Sequence, residues 1–240
     1  VYENWTDVSG ILMADPRIVD NPQTIPEVTY DELRELSYSG AQVLHEGTIF
    51  PVREKNIPLN IRNTNAPEDP GTMIQENFRL DTDPSRFLTG ITGKRDFTII
   101  SLSKRGMSNQ VGVLRRVLSV LERHNISVDY VPNGIDNVSV VMPTESVASN
   151  LYTILSEIRQ DVEPDTLDVH DQIAVVAAVG RKMAFRPGIS GKIFAALGEA
   201  GINIRMINQG PDELNIVFGV ENRDFQEAIR VLYRSFVNMK

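Results

Sequence analysis

The chain is 240 residues long, carries a formal net charge of −8 at neutral pH and has no cysteine. With a sequence pI of about 5.0 and no Lys/Arg cluster it would repel phosphate backbones and anionic lipid, so neither nucleic acid nor a membrane surface is expected as a partner. The lack of cysteine excludes disulfides, thiol catalysis and thiolate metal sites, no apolar run approaches the roughly 18 residues of a spanning helix, and 41% hydrophobic content suffices for two or three small packed cores.

The chain opens Val-Tyr-Glu-Asn-Trp, without an initiator methionine, and runs at once into a dense motif. It is read as a fragment, so the absence of a targeting peptide is uninformative about its parent. Thr6 and Asp7 precede a turn at Gly10, where a hydroxyl and a carboxylate suit a nucleotide or its Mg²⁺. Arg17, behind Asp15-Pro16, suits a phosphate clamp, although Asp15-Pro16 alone is a common turn. From Tyr30 to Leu44 the spacing predicts a helix with Leu33, Leu36 and Val43 on one side, and Asn60 to Thr64 ends an apolar strand expected to close the sheet.

The rest of the chain is an internal repeat at an offset of 76 residues without a gap. It pairs FTIISLSKRGMSNQVGVLRRVL from Phe97 with IAVVAAVGRKMAFRPGISGKIF from Ile173, and LERHNISVDYVPNGIDNVSVVM from Leu121 with LGEAGINIRMINQGPDELNIVF from Leu197. Each copy reads βαββα: a strand, an amphipathic helix (Val113, Val117, Val120, Leu121; Ile189, Ile193, Ala196, Leu197), two short strands around a Gly turn, and a second helix. The first copy continues into Thr166–Val169, a fourth strand giving a ferredoxin-like βαββαβ unit, whereas the second stops at Lys240 without one. Its sheet would leave an open edge. The strand-like Phe87–Thr92 is therefore expected to cross over and complete the second copy, so that the first is inserted in the second; the alternative is a ribbon on the first copy or a linker.

RGM…G and HNISVD in the first copy, with PGISGKIF and GINIRMINQG in the second, resemble tandem ACT domains, which bind free amino acids at interfaces and regulate biosynthetic enzymes. WTDVSGILMADPRIV from Trp5 and EVTYDELRELSYSGAQVLH…NIPLNIRNT…PGTMI from Glu27 resemble the end of an aspartate kinase catalytic domain. Together the resemblance spans the chain. It implies an α/β (α+β) architecture: residues 1–77 from an amino acid kinase domain, a linker and crossover strand at 78–92, a first ACT domain at 93–170 and a second at 171–240.

By that resemblance Thr6, Asp7, Leu12, Arg17 and Gln42 contact ATP, with Mg²⁺, in the intact enzyme. Gln42 stands where many relatives have a lysine, so it keeps hydrogen bonding but loses the charge; Glu46 replaces a frequent proline, and His45 reads as a helix-end residue rather than a general base. No Lys-Phe-Gly-Gly-Ser phosphate loop or aspartate site is present, so this fragment is expected to have no catalytic residue and no kinase activity of its own.

The resemblance places an effector, L-lysine or L-threonine, against Met107, Asn109, Gln110, Gly112, Val113 and Leu114, where a helix N-terminus suits an α-carboxylate. Ser127, Val128 and Asp129 on the following strand, with Asn133 and Gly134 at the turn, complete it; Asp129 would pair with a ligand cation or else be a solvated strand-end carboxylate. In the second copy Arg205 replaces Asp129 and Arg186-Pro187 replaces Gln110-Val111, which would repel lysine and makes the first copy the better lysine site. The family further implies a homodimer through ACT domains, a cytoplasmic setting, L-aspartate as the substrate and a relay through Gln75–Ser85. The alternative is a non-catalytic amino-acid-sensing subunit of an aspartate kinase.

Overall fold

The structure, a computed structural model, describes residues 1–41, 51–77, 88–181, 183, 187–210 and 214–237. The N-terminal segment forms a four-stranded sheet ordered β1 (Tyr2–Thr6), β5 (Leu59–Asn63), β6 (Thr72–Gln75), β4 (Glu27–Thr29), with a small ribbon of β2 (Ile11–Leu12) and β3 (Thr24–Ile25). β5 is thus interior, not the closing strand expected from its sequence: it pairs parallel with β1 and antiparallel with β6.

Helix α1 (Tyr30–Tyr38) starts with a capping box in which Thr29 and Glu32 satisfy each other's backbone N–H. It buries Tyr30, Leu33 and Leu36. The expected helix to Leu44 stops earlier. Gly40 has φ +129, and a Cβ there would lie 2.5 Å from the Gly93 carbonyl oxygen, so the chain turns away where only glycine fits against that backbone. Val43, Gln42, His45 and Glu46 lie outside the described residues.

The repeat forms one five-stranded sheet ordered β10 (Met206–Asn208), β11 (Asn215–Glu221), β9 (Thr166–Val179), β7 (Gly90–Ser103), β8 (Asn137–Pro143). β7 and β9 are long antiparallel partners shared by both copies. Gly90–Lys94 pairs with Val175–Val179, which is the expected crossover; Phe97–Ser103 pairs with Thr166–Ile173. The limits at 92/93 and 170/171 therefore fall inside continuous strands. The register itself is pseudo-two-fold. Phe97 faces Ile173, its own repeat equivalent, and the pair Ile99–His170 is mirrored by Lys94–Val175. Between the halves, the equivalent residues Asp96 (φ 65) and Gln172 (φ 58) are both left-handed, where the ladder is irregular.

Helices α2 (Val113–Arg123) and α3 (Leu151–Val162) pack together in the first copy, α4 (Ile189–Glu199) and α5 (Phe225–Val237) in the second. The buried stripes follow the helical spacing read from sequence: Val113, Val117, Val120 and Leu121 on α2, Ile189, Ile193 and Leu197 on α4. Two expectations need correction. The second helix of the first copy is split into a turn at Thr144–Val147 and α3. The second strand of the first copy is reduced to isolated bridges, Tyr130 to Val141 and Asn133 to Val138, because Pro132 has no N–H to donate and only its carbonyl accepts, from Ser139 at 2.8 Å.

Two cores result. Ile100, Val117, Val140 and Ile154 belong to a core confined to the first copy, whereas Ile25, Leu33, Leu59 and Ile74 of the N-terminal segment share one core with Val176, Ile193, Phe218 and Leu232. Among the described residues no helix is long and apolar enough to cross a membrane.

Candidate functional site

Thr6 and Asp7 lie at the carboxyl end of β1, beside the carboxyl end of its parallel neighbour β5. Thr64 donates both its N–H (2.8 Å) and its hydroxyl (3.0 Å) to the Thr6 carbonyl, and the Thr6 hydroxyl donates to Asp7 Oδ1 at 3.2 Å. Crevices outside the carboxyl ends of parallel strands are where α/β sheets bind ligands. Asn63 Nδ2 donates to Ser9 Oγ at 2.9 Å and Ser9 donates to Asp69, adding polar groups that the sequence reading missed. Gly10 (φ +100) closes the turn; a Cβ there would stand 2.4 Å from Thr72 Oγ1, which accepts the Ile11 N–H at 2.7 Å.

Leu12 is half-buried on β2. Arg17 is exposed and its guanidinium is taken by Asp15, with Nη2–Oδ2 at 2.7 Å and Nε–Oδ1 at 3.0 Å. That hydrogen-bonded pairing holds the Asp15 carboxyl below its usual range. Asp15 thus holds the Arg17 guanidinium within its own turn. Gln42 lies outside the described residues. Among the described residues no group of three or more His, Asp or Glu is arranged to hold a metal ion.

In the first copy the loop into α2 and the turn before β8 meet at one end. Met107–Asn109 is a single 3₁₀ turn entered through Gly106 (φ 71), and Gly112 (φ 81) opens α2 without a side-chain cap, leaving its first N–H groups to other partners. Asp136 joins the two: its side chain accepts the Met107 N–H at 3.0 Å and its carbonyl the Lys104 N–H at 2.9 Å. Gly134 donates to the Asn137 carbonyl at 2.9 Å, closing the turn that carries Asn133. Asn109 and Gln110 are exposed; Val113 is buried and Val128, half-buried, packs on the core. Leu114, Val111 and Ile135 leave apolar surface exposed around this end.

Asp129 lies elsewhere. Tyr130 is opposite Val141 and Asn133 opposite Val138, a separation of roughly 10 Å along a strand. Ser127 is exposed. Burial pushes the Asp129 carboxyl up, while the Tyr38 hydroxyl at the end of α1 and Lys94 act in the opposite sense. Lys94 in turn sits 5.4 Å from the Tyr38 ring centroid. Burial raises the Tyr38 and Tyr130 phenols as well.

The pseudo-two-fold puts Arg205 and His170 where the first copy has Asp129 and Lys94. Arg205 Nη2 is 3.3 Å from His170 Nδ1 and its Nη1 3.5 Å from Glu221, which also pairs with Arg223 at 2.8 Å. They line a polar groove of about 430 Å³. Arg186 lies outside the described residues.

Comparison with known proteins agrees with both halves. Residues 1–63 match the model of the amino acid kinase family and residues 176–236 that of the ACT domain. Aspartokinase 3 of Bacillus subtilis is 35% identical over 237 residues, 98% of this chain and 52% of that protein. The crystal structure of Clostridium acetobutylicum aspartate kinase superposes with a TM-score of 0.92 at 48% identity, over 98% of this chain and 54% of that one. E. coli aspartokinase III, 28% identical, superposes over 98% of this chain and about half of its own, with TM-score 0.80 in complex with aspartate and ADP and 0.77 in complex with lysine and aspartate. The chain spans about half the length of these relatives. With the end of an amino acid kinase sheet joined to a paired ACT sheet, this chain belongs to the aspartokinase family.

Proposed function

We propose that this chain is the regulatory half of an aspartate kinase whose complete form transfers the γ-phosphoryl group of MgATP to the β-carboxylate of L-aspartate, giving 4-phospho-L-aspartate, and is inhibited by L-lysine bound at the first copy. The observation that supports the lysine assignment is the contrast at equivalent places, a half-buried Asp129 carboxylate in the first copy and Arg205 in the second. A carboxylate held in partial desolvation accepts an ammonium strongly; an arginine there repels it.

In the transfer, positioning and electrostatic stabilisation do most of the work. Thr6 and Asp7 at the strand ends, Leu12 on the ribbon and Arg17 at the rim are the groups this chain offers to ATP. Magnesium would neutralise phosphate charge next to Asp7. Gln42 is kept as a fifth contact. No aspartate-binding group is assigned here, so the 240-residue chain alone is expected to produce no ADP from ATP and aspartate.

The loop end (Met107, Asn109, Gln110, Gly112) and Asp129 lie at different heights along the first copy's sheet. A homodimer through the first copies, with Val111, Leu114 and Ile135 buried at the seam, would bring one chain's Asp129 toward the other's loop. L-Threonine is the other effector considered, and a cytoplasmic setting and limits at 77, 92 and 170 complete the reading. Calorimetric titration with L-lysine, then L-threonine, alongside sedimentation, tests it. Saturable lysine binding lost in Asp129→Ala is expected; no binding of either amino acid would remove the first copy as an effector site.

A further inference from the structure

Glu32 is a fully buried carboxylate. As a helix cap it would need no burial, since a capping box works at the surface; a buried charge persists only when paired and hydrogen-bonded. Its partners explain the burial. Beside the Thr29 N–H at 2.8 Å, Glu32 accepts from Thr89 Oγ1 at 2.5 Å, at the start of the crossover strand, and from Arg181 Nε at 2.9 Å, just beyond β9. Arg181 Nη2 also donates to the Glu27 carbonyl of β4 at 3.3 Å. One turn along α1, Glu35 accepts from Asn215 Nδ2 at the first residue of β11.

The same crossover strand touches the nucleotide side. Thr89 N–H donates to the Val179 carbonyl of β9, and Ile91 N–H donates to the Met13 carbonyl, both at 2.7 Å. Met13 follows Leu12 directly. Gly90 faces Leu36 of α1 while Gly93 faces Phe225 of α5, so the strand is gripped on opposite faces by the N-terminal segment and the second copy. In the first copy the residue equivalent to Arg181 is Arg105, which is exposed and donates its backbone N–H to Asp165.

We propose that Glu32 is a positioning residue: through Arg181 and Thr89 it joins the second copy to the nucleotide-facing loop 11–17 as one mechanical body, so that the second copy is a transmitter and not a receptor. The first copy is a second body, hinged where Asp96 and Gln172 interrupt β7 and β9. This goes beyond the effector assignment and stands without it.

Hydrogen exchange of the full chain tests the joint. In Glu32→Gln and in Arg181→Met, residues 11–19, 88–94 and 173–179 should exchange on the order of tenfold faster together, as expected for one buried charge-assisted contact. Residues 113–123 and 151–162 should be unchanged, the double variant should add little to either single one, and Arg181→Lys should recover part of the protection. Thr89→Val, a same-shape loss of one donor, gives the milder version if the charge variants fold poorly. Loosening of 173–179 with 11–19 still protected would overturn the joint, and so would an equal rise in every segment.

Discussion

The two copies share a register and their helix caps, yet they are buried differently. Along β9 the first copy's half, Thr166–Val169, alternates between exposed and half-buried, whereas every residue from Ile173 to Val179 is buried. β11 is buried without a break from Asn215 to Val220, whereas β8 starts exposed at Asn137 and is buried without a break only from Val140 to Met142. Successive strand residues point to opposite faces, so an unbroken buried run means both faces are covered. Helices cover one face in each copy; the other face is covered along its whole length in the second, whereas in the first only the end around Phe97, Ile99 and Val141 joins the core shared with the N-terminal segment. The repeat therefore preserved a fold while giving one copy a supporting duty and leaving the other free to meet a ligand.

The largest effect expected from this division is on stability. Phe218→Ala, at a fully buried ring edge-on to Phe194 at 6.5 Å, should cost about 3–5 kcal/mol and unfold the second copy and the N-terminal segment in one transition. Ile154→Ala, in the separate core, should cost about 2–5 kcal/mol yet leave residues 1–77 protected from exchange. Equal loss of protection in both variants would break the comparison. Next in size, Asp129→Ala should weaken lysine binding by about 10- to 100-fold, while Arg205→Ala should leave it within about twofold. A reversed order would move the effector site to the second copy.

Smaller still, Thr29→Ala removes the cap of α1 and should lower the unfolding free energy by about 1 kcal/mol, with the change confined to the transition that includes the second copy. The weakest effect is a pH dependence. The Asp129 carboxyl is raised above 3.8 and accepts an ammonium only when ionised, so lysine affinity should fall as pH drops through that raised value. A raised carboxyl contributes stability that is present in acid, below its unfolded value, and is lost as pH rises through its folded value. Asp129→Asn should thus be relatively more stable than the parent chain near neutral pH, and the difference should vanish in acid; thermal midpoints at the two extremes measure it.

Much of this was legible in the residues themselves. The 76-residue offset specified the repeat, and the periods of 3.6 and 2 specified its helices and strands, because burial on one face selects one side-chain spacing. The open edge left by the second copy's own strands pointed to Phe87–Thr92, and Gly90–Lys94 is the stretch that pairs there, since an open edge must be filled. Even the capping box was written in Thr29-Tyr-Asp-Glu32, a local signal that went unused, and the unbroken Ala174–Val179 run already implied a sheet covered on both faces. Tertiary structure alone decided that Asp136 ties the loop to the turn, that Tyr38 stands beside Asp129, and that Glu32 meets Arg181. Those contacts join residues 29, 91 and 149 positions apart or bring together surfaces from different elements, and no local periodicity encodes which carboxylate will find which donor once the chain has folded.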